Sequence, residues 1–362
     1  MKVGFVTVDW SGIESQEEKR QQPGGAGWYR IVLPYKFLKL NGVDVVLGHD
    51  ILQTLAGEFH VRTFDDAIHK DFDIIVMQRW MSEVAADCIR HARSTGQVII
   101  QDIDDHFDAI DPGNRAFYTT HPRKDSTMHR NHYKRAIQAS SAIWTSTPYL
   151  AKHYEGTGLP VTVLENCIDR SQFPQRDVSG PMEVGWTGAT GFRSGDLSIL
   201  AGHLGRFLST HNPTFHHTGH TDHAIEAGDL LALGPNIERT YSPLVGIEQY
   251  PVTFGAFNVG IVPLAMKAFN EAKSYIKGLE YATSGIPFVA SPTREYIRFV
   301  RELGAGATAS RPRDWIRELG KLSDEQYRVE QGELARAGSV RWDMATRWVE
   351  WRKALEENQE VT

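Results

Sequence analysis

Cysteine is almost missing from the chain: among 362 residues only Cys88 and Cys167 occur, in separate segments. Two isolated thiols make neither a tetrahedral zinc site nor a disulfide framework. A reducing, cytoplasmic interior is the expected location. Long apolar runs are also lacking; none approaches the roughly 18 residues that a membrane-spanning helix needs. The opening stretch MKVGFVTVDW has no basic segment leading into an apolar run and cleavage site, so no secretory signal is expected. There is no excess of positive charge either: 39 Lys and Arg stand against 45 Asp and Glu, for a net charge of −6. Without a global basic field, contact with nucleic acid or anionic lipid would need a local patch.

What is there is ordinary globular composition, 41% hydrophobic and 23% charged, at a length that suits two domains better than one core. Short, continuous apolar runs occur at residues 3–8, 43–47, 73–77, 98–101, 142–145 and 161–164. Helical patterns fall between them, clearest at 29–40 and 83–93. Strands that are apolar throughout and alternate with helices predict a parallel sheet covered on both faces, an α/β fold. A linker is expected at 173–182, which carries Pro174 and Pro181. The pattern then restarts, with strands at 183–186, 214–217, 237–240, 259–262 and 287–290 and helices at 196–208 and 274–283. The expected division is one domain over 1–175, a second over 180–340, and a last helical segment over 341–362. That segment places Trp342, Ala345, Trp348, Val349 and Leu355 roughly on one face, to pack on its own domain or across both.

The most informative stretch is residues 260–291, GIVPLAMKAFNEAKSYIKGLEYATSGIPFVAS. It reads as strand, loop, helix, turn, strand. A loop after such a strand lies at the carboxyl edge of the sheet, where open α/β folds bind ligands. A helix beginning near residues 272–274 aims free backbone N–H groups at that edge, with Lys273 and Ser274 in its first turn. A cation, a hydroxyl and a helix N-terminus suit a diphosphate. Glu280, about two turns on, offers a carboxylate to vicinal ribose hydroxyls. The competing reading makes Lys273 a solvated helix residue and Glu280 half of a surface pair.

Here the sequence resembles the GT-B glycosyltransferases of the family 4 and family 1 type. The resemblance rests on Glu280-Tyr281-Ala282-Thr283-Ser284-Gly285-Ile286-Pro287-Phe288-Val289-Ala290-Ser291: a helical Glu, small residues, Gly, Pro and a valine-bearing strand. It implies two Rossmann-like parallel-sheet domains facing each other across a cleft. The first would serve the acceptor and the second a nucleotide-sugar such as a UDP-sugar. The implied activity is metal-independent sugar transfer to an acceptor hydroxyl, with retention at the anomeric carbon and no cofactor. The resemblance assigns ribose binding to Glu280. The family's other Glu, eight positions earlier, is replaced here by Ala272, and Glu271 is one residue out of register. The pattern Phe269-Asn270-Glu271-Ala272-Lys273-Ser274-Tyr275-Ile276-Lys277 looks like a divergent subgroup. Sugar and donor contacts would then pass to Asn270, Lys273, Ser274 and Lys277. The turn Trp186-Thr187-Gly188-Ala189-Thr190-Gly191-Phe192-Arg193 resembles the family's glycine-rich turn. There Gly188 would let backbone approach the phosphates, and Arg193 would neutralise the departing diphosphate. Gly24-Gly25 resembles the glycine pair that closes over the donor, with Arg30 as a second phosphate contact. Leu164-Glu165-Asn166-Cys167-Ile168-Asp169 resembles the family's segment before the interdomain linker.

Other clusters carry weaker signals. Asp102-Ile103-Asp104 matches the Asp-x-Asp of the unrelated GT-A glycosyltransferases, yet it lies in the wrong half for the donor, and no metal is expected. Asp104, Asp105 and His106 follow a strand, so they are candidates to orient acceptor hydroxyls and take a proton; capping of the next segment is the plainer reading. His216, His217, His220, Asp222 and His223 are crowded, but adjacent strand residues face opposite ways and cannot readily share one ion. Residues 115–135 hold six Arg or Lys against one Asp, a net +5, with Phe117, Tyr118 and Tyr133 interleaved. Such a patch suits DNA, an anionic glycan or a phosphate-bearing acceptor, and equally a solvated helical face. Rival functions are a GT-B nucleotide-sugar epimerase, a two-lobed small-molecule binding protein, and a degenerate sugar-nucleotide-binding scaffold. The donor base, the sugar and the acceptor (glycan, protein or a hydroxymethylated base in DNA) are left open.

Overall fold

A computed structural model describes residues 1–14, 21–53, 59–63, 65–114, 116–120, 129–192, 194–211, 214–221 and 226–360. The first sheet has six strands: β1 (Lys2–Thr7), β2 (Asp44–Gly48), β3 (Ile74–Gln78), β4 (Val98–Ile103), β5 (Ala142–Thr145) and β6 (Val161–Val163). Their order is β6-β5-β4-β3-β1-β2, and every pair is parallel. Strands β3 and β4 are buried at every position, which is why Ile74–Met77 and Val98–Ile100 read as continuous apolar runs rather than alternating ones.

The second sheet repeats the plan with β7 (Val184–Ala189), β8 (Thr214–His220), β9 (Glu238–Pro243), β10 (Val259–Val262), β11 (Phe288–Ala290) and β12 (Ala307–Thr308). Its order is β9-β8-β7-β10-β11-β12, again wholly parallel. The chain thus folds as the two parallel-sheet α/β lobes that the strand–helix alternation predicts. In each sheet the strand order reverses beside the first strand, between β1 and β3 and between β7 and β10. Ligands of open α/β sheets bind at the carboxyl ends beside such reversals. Segments following β1 and β4 meet the segment following β10 there.

Local differences from the expected elements have physical causes. The helix expected from Ser274 starts at Ile276, after a separate turn at Ala268–Glu271. The helix expected over 196–208 is broken into Ser194–Leu197, Ser198–Leu200 and His203–Leu208, with Gly202 in the left-handed region at φ +71°. Ahead of Leu33–Leu40 lie one turn at Gly25–Gly27 and a π-helical segment at Trp28–Val32. Two antiparallel additions lie outside the elements expected from the sequence: the hairpin Trp10–Glu14 with Gln21–Pro23, and the three strands Asp50–Gln53, Phe59–Arg62 and Ile68–His69.

The chain passes from the first lobe to the second after β6 and later returns beside its own outward path. Ile168 N–H donates to the Trp342 carbonyl at 2.9 Å, and Met344 N–H to the Ile168 carbonyl at 2.9 Å. The last helix, Met344–Gln359, then lies on the first lobe. Trp351 meets Trp144 edge-on at 5.6 Å, while Trp342 packs on Tyr275 and Phe299 of the second lobe. These rings belong to one apolar cluster that also takes in Val3, Val76, Leu279 and Phe288. Each large ring removes ~200 Å² from water, roughly 4–5 kcal/mol of gross apolar burial before chain entropy is counted. No helix among the described residues is long and apolar enough to cross a membrane.

Candidate active site in the cleft

The glycine turn comes first in the chain. Gly24 N–H donates to the Asp9 carbonyl at 2.8 Å, and Trp28 N–H donates back to the Gly24 carbonyl at 2.9 Å. A Cβ on Gly24 would stand 2.4 Å from Asp9 Oδ1, whereas Gly25 has open space around it. Asp9 Oδ2 accepts from Gly27 N–H at 2.8 Å, so a carboxylate already caps this helical turn.

Arg30, expected at the phosphates, is instead locked into the first lobe. It is wholly buried, with Nε and Nη2 on the two oxygens of Asp102 at 3.0 and 2.7 Å. Its Nη1 donates to the Leu164 carbonyl and to Asn166 Oδ1, and its plane lies 4.9 Å from the Trp351 ring. Every arm of the guanidinium is engaged, which corrects the expected phosphate contact. The sequence hid this because Asp102 is 72 positions away.

Beyond β4 the three polar residues part company. Asp104 takes both Nε and Nη2 of Arg79, at 3.0 and 2.7 Å. Asp105 faces the other way as well as toward Arg79, receiving Lys273 Nζ at 2.8 Å from the opposite lobe. Arg79 was missed by sequence reasoning, although its place directly after β3 was a usable signal. It adopts φ +56°, a strained backbone for a non-glycine residue. Burial works against its charge, but Asp104 and Asp105 outweigh that and raise its pKa. Burial pushes the Asp102 and Asp104 carboxyls up, against the pull of Arg30 and Arg79 respectively. His106 is buried, its ring centre 4.1 Å from that of His153, and Nδ1 has no hydrogen-bond partner. Burial first, then His153, pushes its pKa below the ordinary imidazole value, so the ring is neutral at neutral pH.

On the second lobe the loop after β10 is held by its own residues. Asn270 Nδ2 donates to Asp196 Oδ1 at 2.6 Å and to the Ala265 carbonyl at 2.8 Å. The amide nitrogen of Asn270, expected among the sugar contacts, is thus engaged within the loop. Ala272 sits in an apolar cluster of the first lobe with Ile103, Ile143 and Leu150, and its carbonyl accepts from Thr147 Oγ1 at 3.0 Å. No room is left there for a longer acidic side chain. Ser274 Oγ accepts from Asn166 Nδ2 at 2.7 Å. Since the helix starts at Ile276, Lys273 and Ser274 lie just before it, and Lys277 occupies its first turn. Lys277 Nζ donates to Thr187 Oγ1 at 2.9 Å, which places it on the β7 turn. Gly188 takes φ +156°, and a Cβ there would strike the Trp186 ring at 2.6 Å. Arg193 lies outside the described residues.

Glu280 is buried, with Oε1 accepting from the Tyr29 hydroxyl at 2.7 Å and Oε2 from the Tyr250 hydroxyl at 3.1 Å. Burial pushes its carboxyl up, while Lys277 and the two phenols pull it back. Neither tyrosine was singled out in the sequence; Tyr29 follows the glycine pair closely, and that was the available clue.

The remaining candidates lie elsewhere. His216 bonds Thr240 Oγ1 and Thr218 Oγ1, while His217 Nε2 donates to the Gly188 carbonyl and stacks on Trp186. Burial holds His216 down at about 4. Asp222 and His223 lie outside the described residues. No group of three or more His, Cys, Asp or Glu among the described residues is placed to hold a metal. In the basic stretch, residues 115 and 121–128 lie outside the described residues; Arg130 and Lys134 both converge on Asp108.

No family model matches the chain, and no curated protein sequence matches it. Solved structures do. Sucrose-phosphate synthase from Thermosynechococcus elongatus superposes with a TM-score of 0.68 at 10% identity, covering 100% of each chain. HepE from Anabaena, solved in complex with UDP-glucose, gives 0.61 at 15% identity, covering 99% of this chain and 100% of its own. The lipopolysaccharide outer core galactosyltransferase WaaB gives 0.60 at 12% identity, covering 99% of both chains. With its two wholly parallel sheets matched over their full length, the chain has the GT-B fold of these glycosyltransferases.

Proposed function

We propose that the protein is a glycosyltransferase moving a sugar from a nucleoside-diphosphate-sugar to an acceptor hydroxyl, with retention and without a metal. The observation that carries this reading is the Lys273–Asp105 ion pair across the lobes, just before a helix whose Lys277 reaches the Thr187-Gly188 turn and whose Glu280 is buried. The donor would lie between the lobes, its ribose toward Glu280 and its diphosphate toward Lys273, Lys277 and the helix N-terminus. The acceptor oxygen bonds to the anomeric carbon on the same face from which the β-phosphate oxygen departs, and the electron pair of the breaking bond leaves with the diphosphate. The two lysines and Arg193 neutralise that charge, the work a metal does elsewhere. His106, neutral at working pH, accepts the acceptor's proton, and the Arg79-held Asp104 orients the hydroxyl. The UDP and UDP-glucose complexes of HepE support a UDP-sugar as donor.

The test is a mass-spectrometric screen of UDP-, GDP- and ADP-sugars with glycan, protein and DNA acceptors. Free nucleoside diphosphate with a new glycoside is the expected product; an isomerised nucleotide-sugar would instead mark an epimerase. Glu280→Ala and Lys273→Ala should each lower turnover by about 10²–10³. Wild-type rates in either variant remove this site from consideration.

A further inference from the structure

The two side chains expected to grip the donor are both held by the first lobe, and by atoms of donor-like chemistry. On Glu280, the Tyr29 and Tyr250 hydroxyls give one O–H to each carboxylate oxygen, at 2.7 and 3.1 Å. A vicinal ribose diol offers the same pair of neutral donors. On Lys273, an Asp105 carboxylate oxygen stands 2.8 Å from Nζ, an anionic oxygen in the manner of a phosphate. Tyr29 and Asp105 belong to the first lobe, Tyr250 and the two gripping residues to the second. Tyr29 also lies within the π-helical segment Trp28–Val32, a backbone irregularity that gathers at functional sites and resets where a side chain points.

Resting on the donor-site reading above, we infer that the first lobe carries an internal mimic of the donor. The Tyr29 hydroxyl occupies Glu280 and the Asp105 carboxylate occupies Lys273 until a nucleotide takes their places. Donor binding is then an exchange rather than simple filling. A ribose hydroxyl replaces the Tyr29 hydroxyl on Oε1, and a phosphate oxygen replaces Asp105 on Nζ. Tyr250, on the same lobe as Glu280, keeps Oε2 and continues to aim the carboxylate. The exchange lowers apparent affinity by the fraction of molecules whose contacts stand open at a given moment. The two tyrosines therefore have opposite effects, which a merely structural role for both would not produce.

The experiment is calorimetric titration of the full chain with UDP, GDP and ADP, taking as probe whichever binds the wild type. Tyr29→Phe should tighten binding by about three- to tenfold, and Tyr250→Phe should weaken it by a similar factor. Unchanged or weaker binding in Tyr29→Phe overturns the exchange. A thermal melt checks folding; if Tyr29→Phe does not fold, Asp105→Asn carries the same expectation of tighter binding, and unchanged affinity there overturns the proposal. Glu280→Ala separates the two layers. Loss of binding in Glu280→Ala with no change in Tyr29→Phe keeps the donor site and discards the exchange. Unaltered binding in Glu280→Ala discards both. Failure of all three nucleotides to bind the wild type and Tyr29→Phe also discards both.

Discussion

Arg30 and Asp102 form a two-pronged ion pair in which neither side chain is exposed to solvent. The pair fixes the π-helical segment Trp28–Val32 to β4, and through the Leu164 carbonyl and Asn166 it reaches the start of the interlobe crossing. Taking away one member leaves the other charge buried and unmatched. Arg30→Met is expected to destabilise the fold by about 3–5 kcal/mol. Chemical denaturation measures this; a loss under about 1 kcal/mol would return Arg30 to the list of candidate ligand contacts.

Glu280 carries a cost that function would explain. Its folded pKa lies above the ordinary value of 4.5, because burial outweighs Lys277 and the two phenols. The folded state thus holds its proton more tightly than the unfolded state does. Stability is undiminished below the unfolded value and falls as pH rises from there through the folded value. Glu280→Gln should therefore melt at a higher temperature than wild type at pH ~7, with the gap closing toward pH ~4.5. Equal melting curves at both pH values would contradict the burial argument.

His106 predicts a kinetic signature. Its imidazole is pushed below 6.5 by burial and by His153. If it accepts the acceptor's proton, kcat/KM should fall on acidification along a limb whose midpoint lies below 6.5. His106→Asn should lose most of the rate and that limb together. A variant that keeps the limb hands the proton to another group.

The two glycines of the first turn should respond differently. Gly25 meets nothing within 4 Å of an added Cβ, so Gly25→Ala should leave the melting temperature almost unchanged. Gly24→Ala must push aside the Asp9 carboxylate and should cost about 1–2 kcal/mol. Similar melting temperatures for the two variants would refute the distinction.

Most of the architecture was legible because the strands are short, apolar and regularly spaced, and because the 260–291 segment is a local strand–loop–helix unit. The helix start was misplaced for a tertiary reason. Ala272-Lys273-Ser274 is acceptable helical sequence, but Thr147 takes the Ala272 carbonyl and Asn166 holds Ser274, so the turn stays open. The roles of Arg30 and Glu280 were obscured in the same way. Their partners Asp102 and Tyr29 lie 72 and 251 positions away, and no local pattern links them. Arg79 was different: its position directly after a buried strand was visible, and only its strained φ and paired carboxylates were not.

The paired crossing at Ile168 and Asp343 has a mechanical consequence. Two backbones laid side by side and stitched by hydrogen bonds bend about the line they share but oppose torsion. The lobes are thereby joined at this seam by two paired lengths of chain rather than by one. Contacts between the lobes, such as Tyr29 with Glu280, are made by side chains on either side of that join.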